Sequence, residues 1–90
     1  MVKDLKESRE TLNKIDDKMK ELYLERMEVI KDVTAYKIEN GMATFDRARE
    51  EAMKERLASD LSEPLKSYYL EFLKTILKTS KDLQDRIKGE

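Results

Sequence analysis

Residues 12–40 of the chain read LNKIDDKMKELYLERMEVIKDVTAYKIEN. The apolar side chains that keep a helical register in this stretch are Leu12, Ile15, Met19, Leu22, Ile30 and Val33. Such spacing places them on one face of an α-helix. No glycine or proline interrupts the pattern before Gly41, and both Asn40 and Gly41 tolerate the left-handed conformation that ends helices. We therefore predict one long helix over about residues 5–40.

Two shorter helices are expected after two breaks in the pattern. Residues 41–45 form a short connection, and Asp46 is suited to cap a second helix over about residues 46–58. The single proline, Pro64, is suited to the first turn of a third helix over about residues 64–88. The apolar face of that helix consists of Tyr69, Phe72, Leu73, Ile76, Leu77, Leu83 and Ile87. The prediction is an all-α fold of one long, one short and one medium helix, in a single domain over residues 1–90.

The length of the first helix indicates assembly. At 1.5 Å per residue it would be roughly 50 Å long, whereas a compact domain of this size is only about 30 Å across. Since one chain cannot cover such a helix, we expect a homodimer in which the long helices pair. A monomer whose long helix is partly frayed is the alternative.

Composition excludes several kinds of chemistry. The 90 residues include no cysteine and no histidine, which rules out disulfides, Cys/His zinc sites, thiolate nucleophiles and imidazole bases, and we expect no metal or cofactor. Nineteen basic and twenty acidic residues give a net charge of −1, so neither nucleic acid nor a membrane is expected as a partner. No apolar run reaches about 18 residues and the N-terminus has no apolar leader, so the cytoplasm is the expected location.

Polar side chains interrupt the apolar faces at four positions. Arg26 and Lys37 fall on the apolar face of the first helix, and Ser80 and Gln84 fall on that of the third. A buried charge is costly unless it is paired. Taken alone, Arg26 is explained at least as well by a core ion pair with a carboxylate such as Glu50, and Lys37 by a side chain that reaches water at the helix end. Ser80 and Gln84, taken alone, are explained by surface exposure. Together they predict a polar cavity inside a helical bundle, suited to a small polyanion that carries a hydroxyl group.

Further charged residues belong to the same candidate site. Asp46, Arg49 and Glu50 are spaced i, i+3 and i+4, which places them on one face of the second helix. A helix cap with a surface ion pair is the simpler explanation for these three alone. Arg9 precedes Arg26 by about 25 Å of helix, which is too far to hold the same small ligand. In an antiparallel pair of long helices, however, Arg9 would reach the site of the partner chain.

These residues and their spacing resemble one known family. The sequence is similar to the all-helical chorismate mutases over nearly its whole length, in the strings Arg9-x6-Asp16, Leu22-x3-Arg26, Lys37, Asp46-x2-Arg49-Glu50 and Ser80-x3-Gln84. The resemblance implies an intertwined homodimer with two equivalent active sites. It also implies the rearrangement of chorismate to prephenate, at the branch that leads to phenylalanine and tyrosine.

The resemblance further implies how the substrate is held. Arg9 of the partner subunit and Arg26 would clamp the two carboxylates of chorismate, and Ser80 and Arg49 would assist on that side. Replacing Arg9 or Arg26 by alanine is therefore expected to raise KM, because the carboxylates are present in the ground state and in the transition state alike.

It also implies how the reaction is accelerated. Lys37 and Gln84 would donate hydrogen bonds to the ether oxygen, on which negative charge grows as the bond breaks. Glu50, with the region of Asp46, would hold the ring hydroxyl. A unimolecular rearrangement needs no nucleophile, metal, redox cofactor or obligatory proton transfer, which agrees with a sequence that has neither cysteine nor histidine.

Two other functions are compatible with parts of the pattern. An isochorismate-pyruvate lyase resembles this fold and shares the framework of two arginines, a lysine and a glutamine. The lyases lack the Asp46-x2-Arg49-Glu50 segment, which is intact here. A helical dimerisation or partner-binding module without catalysis explains the long apolar face, but it leaves the four polar interruptions as coincidences.

The rate of the reaction should depend little on pH. Gln84 does not titrate, and lysine and arginine side chains ordinarily keep their charge through mildly alkaline pH. We predict that kcat is nearly constant from mildly acidic to mildly alkaline pH, measured as chorismate consumption in buffers of constant ionic strength. A kcat that collapses between about pH 6 and pH 8 would show instead that another titrating group is essential.

Overall fold

The computed structural model describes residues 2–90 of the chain. These residues form three α-helices, α1 (Leu5–Glu39), α2 (Arg47–Ala58) and α3 (Leu65–Gly89). The prediction of an all-α fold with one long, one short and one medium helix is confirmed, and no strand occurs in the part that the structure describes. None of the described helices is both long enough and apolar enough to cross a membrane.

Local interactions define where the helices begin and end. The Asp4 carboxylate accepts a hydrogen bond from the backbone N–H of Lys6 at 3.3 Å and caps the start of α1. Just beyond the end of α1, Gly41 takes a φ of 63°, a left-handed conformation that glycine adopts without steric penalty. Pro64 occupies the N-cap position of α3, one residue before the helix rather than in its first turn. Residues 40–46 connect α1 to α2, and residues 59–64 connect α2 to α3.

The apolar core lies between α2 and α3. The buried hydrophobic residues of the described chain are Met53, Ala58, Leu73 and Leu77. Met53, Leu73 and Leu77 form one cluster, and Leu57 and Tyr69 pack against its edge. A chain of about 90 residues is marginal when it buries little apolar surface, so this core alone contributes limited stability.

Side-chain hydrogen bonds connect the second half of α1 to α3. The hydroxyl of Tyr23 lies 2.7 Å from Oγ1 of Thr79 on α3. Thr34 is fully buried, and its hydroxyl donates to the backbone carbonyl of Ile30 at 2.7 Å, so burial leaves no unpaired hydroxyl there. The apolar core thus lies between α3 and α2, while side-chain hydrogen bonds such as that of Tyr23 with Thr79 connect α3 to α1.

The first half of α1 is open to solvent. Residues 9–22 are all exposed, including the apolar side chains of Leu12, at 54%, and Leu22, at 64%. The described chain is 57 Å long and has a radius of gyration of 16.8 Å, whereas a compact domain of this length would have one of about 12 Å. An uncovered apolar helix face of this extent is typical of a surface that binds another protein.

Candidate active site

A cavity of about 130 Å³ lies where the second half of α1 meets α2 and α3. Seven of the residues singled out in the sequence line it, namely Arg26, Lys37, Asp46, Arg49, Glu50, Ser80 and Gln84. Its apolar walls come from Ile30, Val33, Met53 and Leu77. The structure thus brings together polar residues that are as far apart in the sequence as positions 26 and 84.

Arg26 and Ser80 form one polar pair across the interface of α1 and α3. The Arg26 guanidinium donates from Nη1 to the Ser80 hydroxyl, which in turn donates to the backbone carbonyl of Ile76 at 2.8 Å. Ser80 is only 3% exposed. The serine therefore acts as a fixed acceptor that orients the guanidinium, whose remaining N–H groups can bind a ligand.

Lys37 and Gln84 form a second polar pair between α1 and α3. Lys37 lies about three helical turns beyond Arg26 on α1. The Lys37 ammonium donates to Oε1 of Gln84 at 3.0 Å and to the backbone carbonyl of Thr44 at 2.8 Å. An ammonium has three protons, so two are engaged by the protein and one can bind a ligand. Gln84 is only 4% exposed and uses its oxygen for Lys37, which leaves its NH₂ group as the donor.

The start of α2 contributes the carboxylates. Oδ1 of Asp46 accepts a hydrogen bond from the backbone N–H of Arg49 at 3.0 Å and so caps the helix. Oε2 of Glu50 lies 3.0 Å from the ammonium of Lys81 on α3, and the Glu50 side chain is 15% exposed. The two carboxylates therefore differ, because Asp46 is engaged by the helix end and Glu50 by a side chain of another helix.

The charge of the cavity is positive, unlike that of the whole chain. Four cations line it, Arg26, Lys37, Arg49 and Lys81, against the two carboxylates of Asp46 and Glu50. The chain as a whole carries −1. A concave site with a surplus of cations and partly apolar walls attracts a small anion with an apolar framework.

Comparison with known proteins assigns the chain to a family. The family model described as chorismate mutase type II matches residues 8–85, a segment that contains all of the site residues singled out in the sequence. The chain belongs to the chorismate mutase type II family. The resemblance drawn from the sequence is thereby confirmed, and family membership indicates an isomerase that acts on chorismate. No curated protein and no solved structure gives a significant match to the chain.

Two residues that line this cavity of the chorismate mutase chain, Thr44 and Lys81, were missed in the sequence. Thr44 acts through its backbone carbonyl, which accepts from Lys37, and a backbone acceptor leaves no trace in the residue type. Lys81 is different, because it follows Leu77 by four residues and so continues the apolar face of α3, the same signal that singled out Ser80 and Gln84.

Arg9 is the one residue of the predicted set that does not line the cavity. It lies in the first turns of α1, is exposed, and precedes Arg26 by roughly 25 Å of helix. Within the described chain, Arg9 is therefore separate from the other seven residues. From this position Arg9 could reach such a cavity only in a second copy of the chain.

The capping contact of Asp46 gives a prediction that separates structure from substrate binding. Replacing Asp46 by alanine should lower the free energy of unfolding by about 1 kcal/mol, because α2 loses its cap. Asparagine caps helices equally well, so Asp46→Asn should keep the wild-type stability and the wild-type kcat/KM for chorismate. Urea denaturation and chorismate turnover of both variants test this. An Asp46→Asn variant with wild-type stability but greatly reduced turnover would mean that the carboxylate charge itself serves the substrate.

Proposed function

We propose that this single-domain chain catalyses the rearrangement of chorismate to prephenate in the cavity between its three helices, as an intertwined homodimer with two equivalent sites. The observation that carries the proposal is the pair of polar contacts across one helix interface, Arg26 with Ser80 and Lys37 with Gln84, in a cavity with surplus positive charge. The reaction supplies a step in phenylalanine and tyrosine biosynthesis, and we expect it to take place in the cytoplasm.

The chemistry explains why such a site suffices. In a single molecule the ether C–O bond breaks while a C–C bond forms, so no group is transferred to the protein. Holding the enolpyruvyl side chain folded over the ring selects a near-attack conformer. Stabilising the charge that grows on the ether oxygen then lowers the barrier further, and it acts chiefly in the transition state.

Lys37 and Gln84 are suited to that second task. In this proposal the third N–H of the Lys37 ammonium, which the protein does not engage, and the NH₂ group of Gln84 both donate to the ether oxygen. Lys37 is held by Thr44 and Gln84 before any substrate arrives, and Gln84 is almost fully buried. Donors that are already oriented do not have to reorganise during the reaction, which is the condition for strong electrostatic stabilisation.

The cations at the Arg26 end of the cavity bind the two carboxylates of chorismate. Arg26, oriented by Ser80, takes one carboxylate together with Arg49, and Arg9 of the partner subunit takes the other. Glu50 accepts a hydrogen bond from the ring hydroxyl, beside the backbone of Asp46. Arginine suits this role because its planar guanidinium binds carboxylates through two parallel hydrogen bonds.

The exposed part of α1 supports the homodimer. Its apolar face is uncovered, and the core buried within the chain is small, so pairing with a second α1 would bury surface that one chain leaves in water. An antiparallel pairing sets Arg9 of one chain beside the Arg26 region of the other. The same contact would therefore stabilise the fold and complete the site.

The roles of Lys37 and Gln84 give a direct test of the function. Lys37→Ala and Gln84→Ala should each lower kcat about 10²-fold or more, because each removes a donor to the ether oxygen. The assay follows chorismate consumption by absorbance and identifies prephenate as the product. Lys31→Ala is the matched control, since Lys31 lies on the same helix in an exposed pair with Glu28 and should leave kcat unchanged.

The same assay separates the alternatives. A wild-type kcat for Lys37→Ala would refute the assignment of Lys37. Pyruvate released from isochorismate, with no prephenate formed from chorismate, would establish the lyase. Inertness toward both substrates would favour a dimerisation or partner-binding module without catalysis.

The placement of Arg9 in the partner's site predicts complementation between two inactive variants. Arg9→Ala and Arg26→Ala should each raise KM and lower kcat/KM. A mixed dimer of the two has one site with both arginines intact, so random pairing of equal amounts should restore about a quarter of the wild-type sites. Co-refolding the variants and measuring chorismate turnover tests this. If Arg9 acts within its own chain, the mixture will show only the average activity of the two variants.

A further inference from the structure

Lys81 is a cation of the cavity to which the proposed reaction has so far given no role. It lies on α3 between Ser80 and Gln84, and its side chain is 32% exposed. Its ammonium lies 3.0 Å from Oε2 of Glu50 on α2 and 4.7 Å from the centre of the Phe45 ring. The ammonium is thus held between a carboxylate and an aromatic face, both favourable partners for a cation.

The contact between Lys81 and Glu50 differs from the other ion pairs of the described residues. Those four pairs join side chains three or four positions apart along the chain, and most of their side chains are largely exposed. The pair of Lys81 and Glu50 joins two helices at the wall of the cavity, and its side chains are the least exposed of all. Solvent screens such a pair less than it screens the surface pairs.

We infer that Lys81 is a positioning residue that fixes the Glu50 carboxylate for the ring hydroxyl of the substrate. The inference rests on the proposed function. A glutamate side chain has three rotatable bonds, and the Glu50 side chain is 15% exposed, so bulk water competes for its carboxylate near the start of α2. Lys81 binds Oε2 and so leaves Oε1 as the acceptor for the hydroxyl.

This role predicts which kinetic constant changes. The hydroxyl is present in the ground state and in the transition state alike, so a misplaced Glu50 weakens binding of both. Loss of Lys81 should therefore raise KM rather than lower kcat. A lysine that acted on the dianionic substrate by its own charge would do so whether or not Glu50 were present, and this difference separates the two roles.

The test uses Lys81→Met, Lys81→Arg, Glu50→Gln and the double variant Lys81→Met/Glu50→Gln. Methionine keeps an unbranched apolar stem against Phe45 and removes the charge, whereas arginine restores a cation. Lys78→Met is the matched control, because Lys78 lies one turn earlier on α3 in a solvent-exposed pair with Asp82. The measurements are KM and kcat for chorismate, with a thermal melt of each variant.

We expect Lys81→Met to raise KM about tenfold with little change in kcat, which corresponds to the loss of one charge-assisted hydrogen bond. Lys81→Arg should recover most of the wild-type KM, and Lys78→Met should match the wild type. The double variant should have the KM of Glu50→Gln alone, because Lys81 acts through Glu50.

Each other outcome overturns the inference in a distinguishable way. Independent effects that multiply in the double variant would mean that Lys81 acts on the substrate directly. A Lys81→Met variant with wild-type kinetics would contradict the positioning role of Lys81. So would a variant whose loss of activity only follows its loss of folded protein. In both cases chorismate turnover by the wild type would leave the proposed function standing. A wild type that fails to convert chorismate would overturn the proposed function and this inference together.

Discussion

The interface of α1 and α3 is held by hydrogen bonds at positions where the helical pattern calls for apolar side chains. Arg26 reaches Ser80, and Lys37 reaches Gln84, with both acceptors almost fully buried. Removing a cation from water is unfavourable unless partners replace the lost hydration. Within the described residues, no buried side-chain nitrogen or oxygen lacks a hydrogen-bond partner, so this requirement is met. The same contacts that make the interface tolerable also aim the cations at the cavity.

This interface has a consequence for stability. Residues that form polar pairs across this interface occupy space that leucine or isoleucine would fill in a purely structural bundle, and the buried apolar set of the described chain is correspondingly small. Apolar packing generally stabilises a helix interface more than a buried polar pair does. A chain of this kind gains from burying its exposed α1 face against a second copy. If it does so, folding and assembly become one equilibrium, and the active site is complete only in the assembled state.

The sequence predicted some parts of the molecule and could not predict others, for physical reasons. The three helices follow from periodicity and from their ends at Asn40, Gly41 and Asp46, since these signals are local. Arg26 and Gln84 could be singled out from the sequence, because a polar residue on an otherwise apolar helix face departs from the pattern. The contact of the Thr44 carbonyl with Lys37 could not be predicted, because it depends on the fold and not on the residue type. The role proposed for Arg9 would depend on a second chain, which no property of one helix can specify.

The contacts of the Lys37 ammonium are suited to the reaction of this family. A lysine on a surface has a flexible, hydrated ammonium, and bringing it to a developing negative charge during the reaction would require both ordering and loss of water. Here Thr44 and Gln84 hold the ammonium in the folded chain, so the ordering takes place on folding and is not repeated in each catalytic cycle. In a partly apolar cavity the proposed attraction between this cation and the ether oxygen would also be screened less than in water. A helical bundle can therefore accelerate a unimolecular rearrangement with donors alone, provided that its folding orients them.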